Sequence, residues 1–279
     1  MIAQRLSRWS GDALIYVLLF GVCAFMLFPF LWMVITSFKY ADEIFHIPMI
    51  IIPTHPDLHA YIYLFQQYPI IRVTWNTFII ASLGTALSLF FCSLGGYAFA
   101  KFRFPGQKGL FAFLLATMVI PSAITLVPIY LIMRDLKWID TIWPLIIPGA
   151  ANAFGIFFMR QYISTVSDDI MDAARMDGAG EFTIYWRIIV PIIAPGLTSL
   201  GLIFFMGAWN AVMGPLIYLK SSQNFTLPLV IRSMTGPVGR TIYDTQMAAS
   251  VISIIPLLII FLLFQRRLME GIAAGAVKG

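Results

Sequence analysis

Long apolar runs, separated by short polar segments, make up most of this chain. About twenty consecutive apolar residues are enough for a helix to cross the hydrocarbon core of a bilayer. By that measure the pattern predicts six spans, at about 13–36, 77–99, 109–133, 141–159, 195–219 and 246–265. We therefore expect an all-α integral membrane protein with six transmembrane helices.

The composition supports the same class. Of the 279 residues, 60% are hydrophobic and 11% are charged, and the mean hydropathy is +0.87. Because about a quarter of the residues of a soluble domain are charged, a soluble fold is excluded. Basic residues that flank membrane helices explain the net charge of +5, which does not indicate a nucleic-acid partner. Cys23 and Cys92 lie in apolar runs, where we expect them to pack rather than to form a disulfide or a metal site.

The distribution of basic residues predicts the orientation of the spans. The first apolar run is too long for the core of a cleaved signal, so we expect it to be retained. With the N-terminus inside, eleven of the 18 lysines and arginines are cytoplasmic, namely Arg5, Arg8, Lys101, Arg103, Lys108, Arg160, Arg175, Arg187, Arg266, Arg267 and Lys278. The other seven are external, namely Lys39, Arg72, Arg134, Lys137, Lys220, Arg232 and Arg240. Both termini and the polar segment 160–194 are therefore predicted to be cytoplasmic, and segments 39–75 and 220–245 external.

All three histidines lie in the external segment 39–75. His55 and His59 have a four-residue spacing that can bind a metal ion on a helix. Pro56 lies between them and is incompatible with a regular helix there, except in its first turn. We therefore interpret these histidines, with His46, as ordinary loop residues and predict no metal site.

The cores of the predicted spans contain no Asp, Glu, Lys, Arg or His. Proton-driven carriers generally need such groups inside the membrane, although sodium can be held by carbonyls and hydroxyls. An intramembrane hydrolase would need a nucleophile with its base, or a metal cluster. The pattern disfavours both classes and indicates a protein without an energy source of its own.

Neutral polar residues within or beside the spans have two interpretations. Hydrogen bonding between helices is the ordinary one in membrane proteins. The other is a pathway for a polar, uncharged solute, in which Trp209 could stack on a sugar face. For that pathway we predict Asn76, Ser122, Asn152, Trp209 and Asn210.

The polar segment 160–194 has the features of a short, ordered helix. Ser167 is suited to cap its N-terminus, and Asp168 and Asp169 follow in the first turn, where carboxylates favour the positive end of the helix dipole. Gly178 suits the left-handed position that ends a helix. Residues at helical spacing should share one face, namely Ile170, Ala173, Ala174 and Asp177.

A second short helical piece should follow the glycine. It begins at Gly180 and Glu181 and runs through Trp186 to Arg187. Pro191 and Pro195 should then redirect the chain into the fifth span. Such order indicates a docking element facing the cytoplasm.

The segment carries a recognisable motif. It reads Asp172-Ala173-Ala174, three residues, Gly178, nine residues, Ile188, one residue and Val190-Pro191. This resembles the EAA loop of ABC-importer membrane subunits, which reads Glu-Ala-Ala, three residues, Gly, nine residues, Ile, one residue and Leu-Pro. Asp172 replaces Glu and Val190 replaces Leu here, and both changes keep the chemistry.

Other stretches resemble carbohydrate permeases of the maltose-importer class. They are 94–102 with Phe104-Pro105-Gly106, Met159-Arg160-Gln161-Tyr162, Gly207-Ala208-Trp209-Asn210 with Pro215-Leu216, and Thr226-Leu227-Pro228. The tail 271–279 is similar to the second of that class's two permease subunits. The resemblance covers about residues 13–279.

The resemblance implies a type I ABC importer permease fold. Residues 1–71 would form the first transmembrane helix and external segment, 72–266 the permease core with its EAA loop at 160–194, and 267–279 a cytoplasmic tail. The implied partners are a second, homologous permease subunit in a heterodimer, two ATPase subunits, an extracytoplasmic solute-binding protein and a sugar. The implied location is the cytoplasmic (inner) membrane of a bacterium or archaeon.

The same resemblance implies that the chain is not an enzyme and binds no cofactor, because ATP and Mg²⁺ belong to the ATPase subunits. It assigns the ATPase-docking role to Asp172, Ala173, Ala174, Met176, Asp177, Gly178, Arg187 and Pro191. Closure of the ATPase on ATP would favour the outward-facing state, and hydrolysis would restore the inward-facing one.

Two alternatives stay open, an ion-coupled secondary carrier and an ABC importer permease for a non-sugar solute. Within the sugar class, mono-, di- and oligosaccharides, polyols and glycerol-phosphate-like solutes all fit.

Overall fold

The computed structural model describes residues 2–234 and 242–276, with the backbone alone for 2–14, 122 and 266–276. All regular secondary structure in these residues is helical, which confirms the predicted all-α class for the part described. Residues 235–241 of the external segment 220–245, and residues 277–279 of the C-terminal motif, lie outside the described residues.

The helices follow one another with few long connections. The first eight are α1 (Ile2–Thr36), α2 (Ala41–Ile44), α3 (His59–Gln67), α4 (Ile70–Lys101), α5 (Gln107–Thr117), α6 (Ser122–Asp135), α7 (Trp143–Ile146) and α8 (Ala153–Ile163). The others are α9 (Asp168–Met176), α10 (Glu181–Ile184), α11 (Val190–Ile192), α12 (Ala194–Trp209), α13 (Met213–Tyr218), α14 (Leu227–Ser233) and α15 (Tyr243–Ala276). A π-helical turn, Tyr185–Ile189, joins α10 to α11, and a 3₁₀ turn, Ser222–Asn224, precedes α14.

Three helices of the described chain are long and apolar enough to cross a membrane by themselves. They contain Ile15–Thr36, Ile70–Lys101 and Tyr243–Gln265, and they match the predicted spans 13–36, 77–99 and 246–265. A fourth candidate is the pair Glu181–Ile192 and Ala194–Trp209, which is bent by 78°. The number of six spans therefore stays a prediction.

The other three predicted stretches are each divided into two helices. The stretch 109–133 is broken between Thr117 and Ser122, where Pro121 is extended, with ψ of 132°. The stretch 141–159 is broken around Pro148, and the stretch 195–219 between Trp209 and Met213. A proline has no backbone N–H to give to the preceding turn, which explains the first two breaks.

The chain divides into two compact units. The first unit takes residues 1–69 and 233–255, and the second takes 70–232 and 256–279. In the first unit, the ring of His59 stacks on Tyr40 at 4.1 Å, and His59 Nε2 lies 2.9 Å from Asp244 Oδ2. The imidazole of His46 contacts the carbonyl of Pro48.

In the second unit, α4 lies between α8 and α12. Two glycines allow the helices to approach closely. A Cβ on Gly96 would lie 2.6 Å from Met159 Cβ, and one on Gly155 would lie 2.5 Å from Cys92 Sγ. Cys92 is buried in this core, as predicted, whereas Cys23 is exposed on α1, where packing was expected.

Candidate functional site

The helix α9 begins as its sequence predicts. Ser167 has an extended backbone, and its hydroxyl accepts a hydrogen bond from the backbone N–H of Asp169 at 3.2 Å. Asp168 and Asp169 occupy the first turn, and Arg175 the last, so each charge lies at the end of the helix dipole that it favours.

Gly178 ends α9 in the left-handed conformation that the sequence predicts, with φ of +82°. The N–H of Ala179 donates to the carbonyl of Ala174, and the N–H of Gly178 donates to that of Arg175, both at 3.0 Å. This pair of bonds is a Schellman motif. Space around Gly178 is open, so its φ, rather than crowding, requires glycine there.

The exposed side of α9 contains most of the predicted docking residues. Asp172, Ala173, Met176 and Asp177 are exposed, and Met176 reaches 88% exposure, which is high for a large apolar side chain. With Ile170, at 44%, Ala173, Met176 and Asp177 form a surface that we call the α9 face.

The predicted alanine face needs one correction. Ala174 is only 9% exposed and packs inward with Met171 in the core of the second unit. Residues 171 and 174 are three apart and so share the buried side of the helix. Ala173 alone of the two alanines is on the surface.

Asp172 is part of an ion-pair network rather than a free carboxylate. Arg175 Nη1 lies 2.7 Å from Asp172 Oδ1, and Arg175 Nε lies 2.8 Å from Glu181 Oε1. The hydrogen bond to Glu181, and then the one to Asp172, raise the pKa of the Arg175 guanidinium above its ordinary value. The network therefore ties α9 to the start of α10.

The chain after Gly180 is helical through Ile192 and then turns sharply. The axis changes by 78° between Ile192 and Ala194, so the predicted redirection between Pro191 and Pro195 is confirmed. Arg187 and Pro191 are exposed on this piece. The π-helical turn before α11 was not predicted; the sequence indicates it only through Pro191, which cannot donate to the carbonyl of Arg187.

Three polar side chains of α4 hold residues 168–192, which we call the docking segment. Ser93 Oγ lies 2.6 Å from the Tyr185 hydroxyl. Tyr97 donates to Glu181 Oε2 at 2.9 Å. Lys101 donates to the carbonyl of Val166 at 2.5 Å and to Asp168 Oδ1 at 2.6 Å, and this contact lowers the pKa of Asp168.

The side chains of the predicted pathway residues each make their own local contacts. Asn76 donates to the carbonyls of Gln223 and Phe225, at 2.9 and 3.0 Å. Asn152 caps α8 by accepting from the N–H of Gly155 at 2.7 Å. Both side chains hydrogen-bond to the backbone, which is consistent with a structural role, and their pathway role stays a prediction.

Of the other predicted pathway residues, Trp209 and Asn210 lie at the C-terminal end of α12, and Ser122 lies at the N-terminal end of α6. Trp209 is fully buried and stacks on Phe205, with ring centres 5.7 Å apart, next to Ala81. Asn210 donates to the carbonyl of Met206 at 2.9 Å. Ser122 begins α6, and its side chain lies outside the described part.

A polar clamp also orders the connection after α13. The Asp140 carboxylate accepts from the N–H of Lys220 and from the N–H and hydroxyl of Ser221. These bonds, the Ser221 hydroxyl first, hold the pKa of Asp140 well below its ordinary value. Thr77 Oγ1 accepts from the N–H of Leu227, so this connection is tied to the start of α4.

A cavity of about 430 Å³ lies among α4, α12 and the second half of α15. Its wall is mainly apolar, with hydroxyls from three residues of α4 and α12, namely Ser82, Thr85 and Thr198. Ser82 and Thr85 belong to the neutral polar residues within the predicted span 77–99.

Comparison with known proteins gives one consistent family. The family model described as binding-protein-dependent transport system inner membrane component matches residues 92–273. The arabinooligosaccharides transport system permease protein AraQ of Halalkalibacterium halodurans is 34% identical, over 93% of this chain and 94% of its own length. The lactose transport system permease protein LacG of Rhizobium radiobacter is 31% identical, over 98% of both chains.

The fold comparison agrees. One chain in the crystal structure of a bacterial ABC transporter that imports the acidic polysaccharide alginate superposes with a TM-score of 0.80, at 24% identity. The superposition covers 91% of this chain and 95% of that one, and it shows an ABC importer permease fold. The chain belongs to the family of binding-protein-dependent transport system inner membrane components.

Proposed function

We propose that this chain is one of two homologous membrane subunits of an ATP-driven importer that receives a sugar from an extracytoplasmic binding protein. The relatives named for arabinooligosaccharides and lactose support the sugar class. In this proposal the chain makes six spans with both termini in the cytoplasm of a bacterium or archaeon. The residue ranges 1–71, 72–266 and 267–279 are then its first span with the external segment, its permease core and its tail.

The α9 face is the proposed docking surface for an ATPase subunit. The observation that carries this role is the exposure of Met176, at 88%, on a short helix that is capped at both ends. An exposed apolar side chain on a rigid, charged helix is suited to a pocket in a partner protein. Ala173 lets the partner approach, and Asp177 adds a charge at the edge.

In this proposal, ATP and Mg²⁺ bind to the ATPase subunits and not to this chain. Ala174 supports the surface from inside, while Asp172 orders it through Arg175. Arg187 and Pro191 lie on the piece that leads to the bend before α12, where displacement of α9 would reach the later spans.

Gly178→Asp tests the docking role in the assembled transporter. An L-residue at φ of +82° is strained, so the C-terminal cap should distort and the α9 face should turn away. We expect the ATPase subunits to copurify in much smaller amounts, with the permease pair still inserted in the membrane. Uptake of the sugar should fall as the amount of bound ATPase subunit falls.

The matched control is Gly180→Asp, two residues further along. Gly180 has an ordinary φ of −73° and open space, and it precedes α10 in the capping position, where aspartate is well suited. The Gly180→Asp variant adds the same charge without the strain, so it should retain the ATPase subunits. Normal copurification and uptake with Gly178→Asp would contradict the proposed function.

A further inference from the structure

The contacts between α4 and the docking segment form a regular series. Ser93, Tyr97 and Lys101 follow one another at four-residue intervals and so lie along one side of α4. They reach, in turn, Tyr185 in the π-helical turn, Glu181 at the start of α10, and Val166 and Asp168 at the start of α9. One side of a single helix therefore holds the docking segment at three successive points.

The first of these points is buried on both sides, and at the second Tyr97 is buried while Glu181 is exposed. Ser93 and Tyr185 are each 2% exposed. Ser93 Oγ also donates to the carbonyl of Leu89, so the Tyr185 hydroxyl is the donor in the bond between the two side chains. The rings of Tyr97 and Tyr185 pack at 5.5 Å. Breaking these bonds without a new partner leaves buried polar groups unpaired, which is unfavourable.

A continuous series of polar contacts also connects α4 to the surface of α9. Asp172 pairs with Arg175, Arg175 with Glu181, and Glu181 with Tyr97. The chain runs from the exposed side of α9 to the buried side of α4. By contrast, a sharp bend of 78° separates the same segment from α12.

We propose that α4 and the docking segment move as one rigid body during the ATP cycle, with Ser93, Tyr97 and Lys101 as the positioning residues. This rests on the proposed docking of α9. Displacement of the α9 face by the ATPase then enters the membrane through α4 directly, as well as through the bend before α12. Tyr97 and Tyr185 contribute through their hydroxyls, and their rings maintain the packing.

The direct test is the distance between spin labels on Thr183, which is exposed on α10, and Phe91, which is exposed on α4. The labels go on T183C and F91C after Cys23 and Cys92 are replaced by alanine, in the complete transporter in lipid nanodiscs. We expect the same modal distance without nucleotide and with trapped ATP. A change larger than about 1.5 Å, the rise of one helical residue, would overturn the inference.

The second test removes the hydroxyls and keeps the rings, with the double variant Y97F/Y185F. Copurification of the ATPase subunits should be unchanged, because the α9 face is intact. Sugar taken up per ATP hydrolysed should fall about tenfold, as expected from the loss of one buried and one partly buried hydrogen bond. The matched control is Tyr162→Phe, whose ring packs against Gly196 of α12, and it should keep the normal ratio.

Glu181 offers a conservative comparison. Glu181→Gln keeps an oxygen that accepts from Tyr97 and should retain more coupling than Glu181→Leu, which a purely steric role would not predict. A normal uptake ratio in Y97F/Y185F would refute the assignment of these hydroxyls. Failure of the docking itself would appear differently, as normal ATPase copurification with Gly178→Asp.

Discussion

Gly96 shows how one residue sets the distance between two helices. A Cβ there would lie 2.6 Å from Met159 Cβ and 2.8 Å from the backbone nitrogen of Arg160. Backbone atoms cannot move aside as a flexible side chain can. Gly84, on the same helix, has nothing within 4 Å, so glycine is needed at one position of α4 and is replaceable at the other.

We therefore expect opposite effects from the same substitution in α4. Gly96→Ala should lower the free energy of unfolding by about 1–3 kcal/mol, because α4 and α8 must separate. Gly84→Ala should be neutral or raise it by up to about 1 kcal/mol, since alanine favours helix more than glycine does. Thermal unfolding of the purified subunit in detergent measures both. A Gly96→Ala protein as stable as the wild type would contradict the close approach.

Single residues that act on their own backbone were the most predictable. Ser167 caps α9 and Gly178 ends it as expected, because each role depends on a few neighbouring residues. Ala174 was not predictable in the same way. Ala174 faces the core because it lies on the same side of α9 as Met171, three residues before it, which packs in the core. The sequence shows only that two alanines are adjacent.

The element that best combines local order with exposure is α9. Its capping bonds hold it in place, and its Met176 side chain contacts solvent over most of its surface. An apolar anchor of this kind contributes a large share of the binding energy of an interface when a partner covers it.

Met176→Ala should weaken binding of the ATPase subunit about tenfold, or by about 1.4 kcal/mol. The stability of the permease should stay the same, because alanine is at least as good a helix former as methionine. Surface plasmon resonance with the permease pair in nanodiscs measures the affinity. Met213→Ala, at another exposed methionine, is the control and should bind normally. Equal affinities for the two variants would argue against the α9 face.

Among the longer elements, unbroken apolar runs were more predictable than interrupted ones. The helices at Ile15–Thr36, Ile70–Lys101 and Tyr243–Gln265 match their predicted stretches. Pro121 and Pro148 explain where the stretches 109–133 and 141–159 are broken, but not how the freed backbone groups are satisfied. That depends on neighbouring segments, as with Asn76, which donates to two carbonyls more than 140 residues away.

At the scale of the whole molecule, the central question is which polar segments face the cytoplasm. The basic residues favour one arrangement by eleven to seven. Thr183, in the docking segment, and Ser222, in the 3₁₀ turn, are both exposed and should lie on opposite sides of the membrane.

Single-cysteine variants at these two positions test the arrangement, with Cys23 and Cys92 replaced by alanine. In intact spheroplasts a membrane-impermeant maleimide should label S222C and leave T183C unlabelled. After permeabilisation both should react, which controls for intrinsic reactivity. Labelling of T183C in intact spheroplasts would contradict the cytoplasmic position of the docking segment.

The sequence alone was enough for the membrane class, the EAA-like motif and the family, because hydropathy, capping residues and motif spacing are properties of neighbouring positions. Only the tertiary structure decided where individual polar side chains pack and which partners they bind. Trp209, whose role in the solute pathway stays a prediction, packs in the core against Phe205 and Ala81. Tyr97 and Tyr185, which the sequence did not distinguish from other aromatic residues, hold the docking segment to α4. The physical reason is that a buried polar group must find its partner in space, and these partners lie 84 and 92 residues apart along the chain.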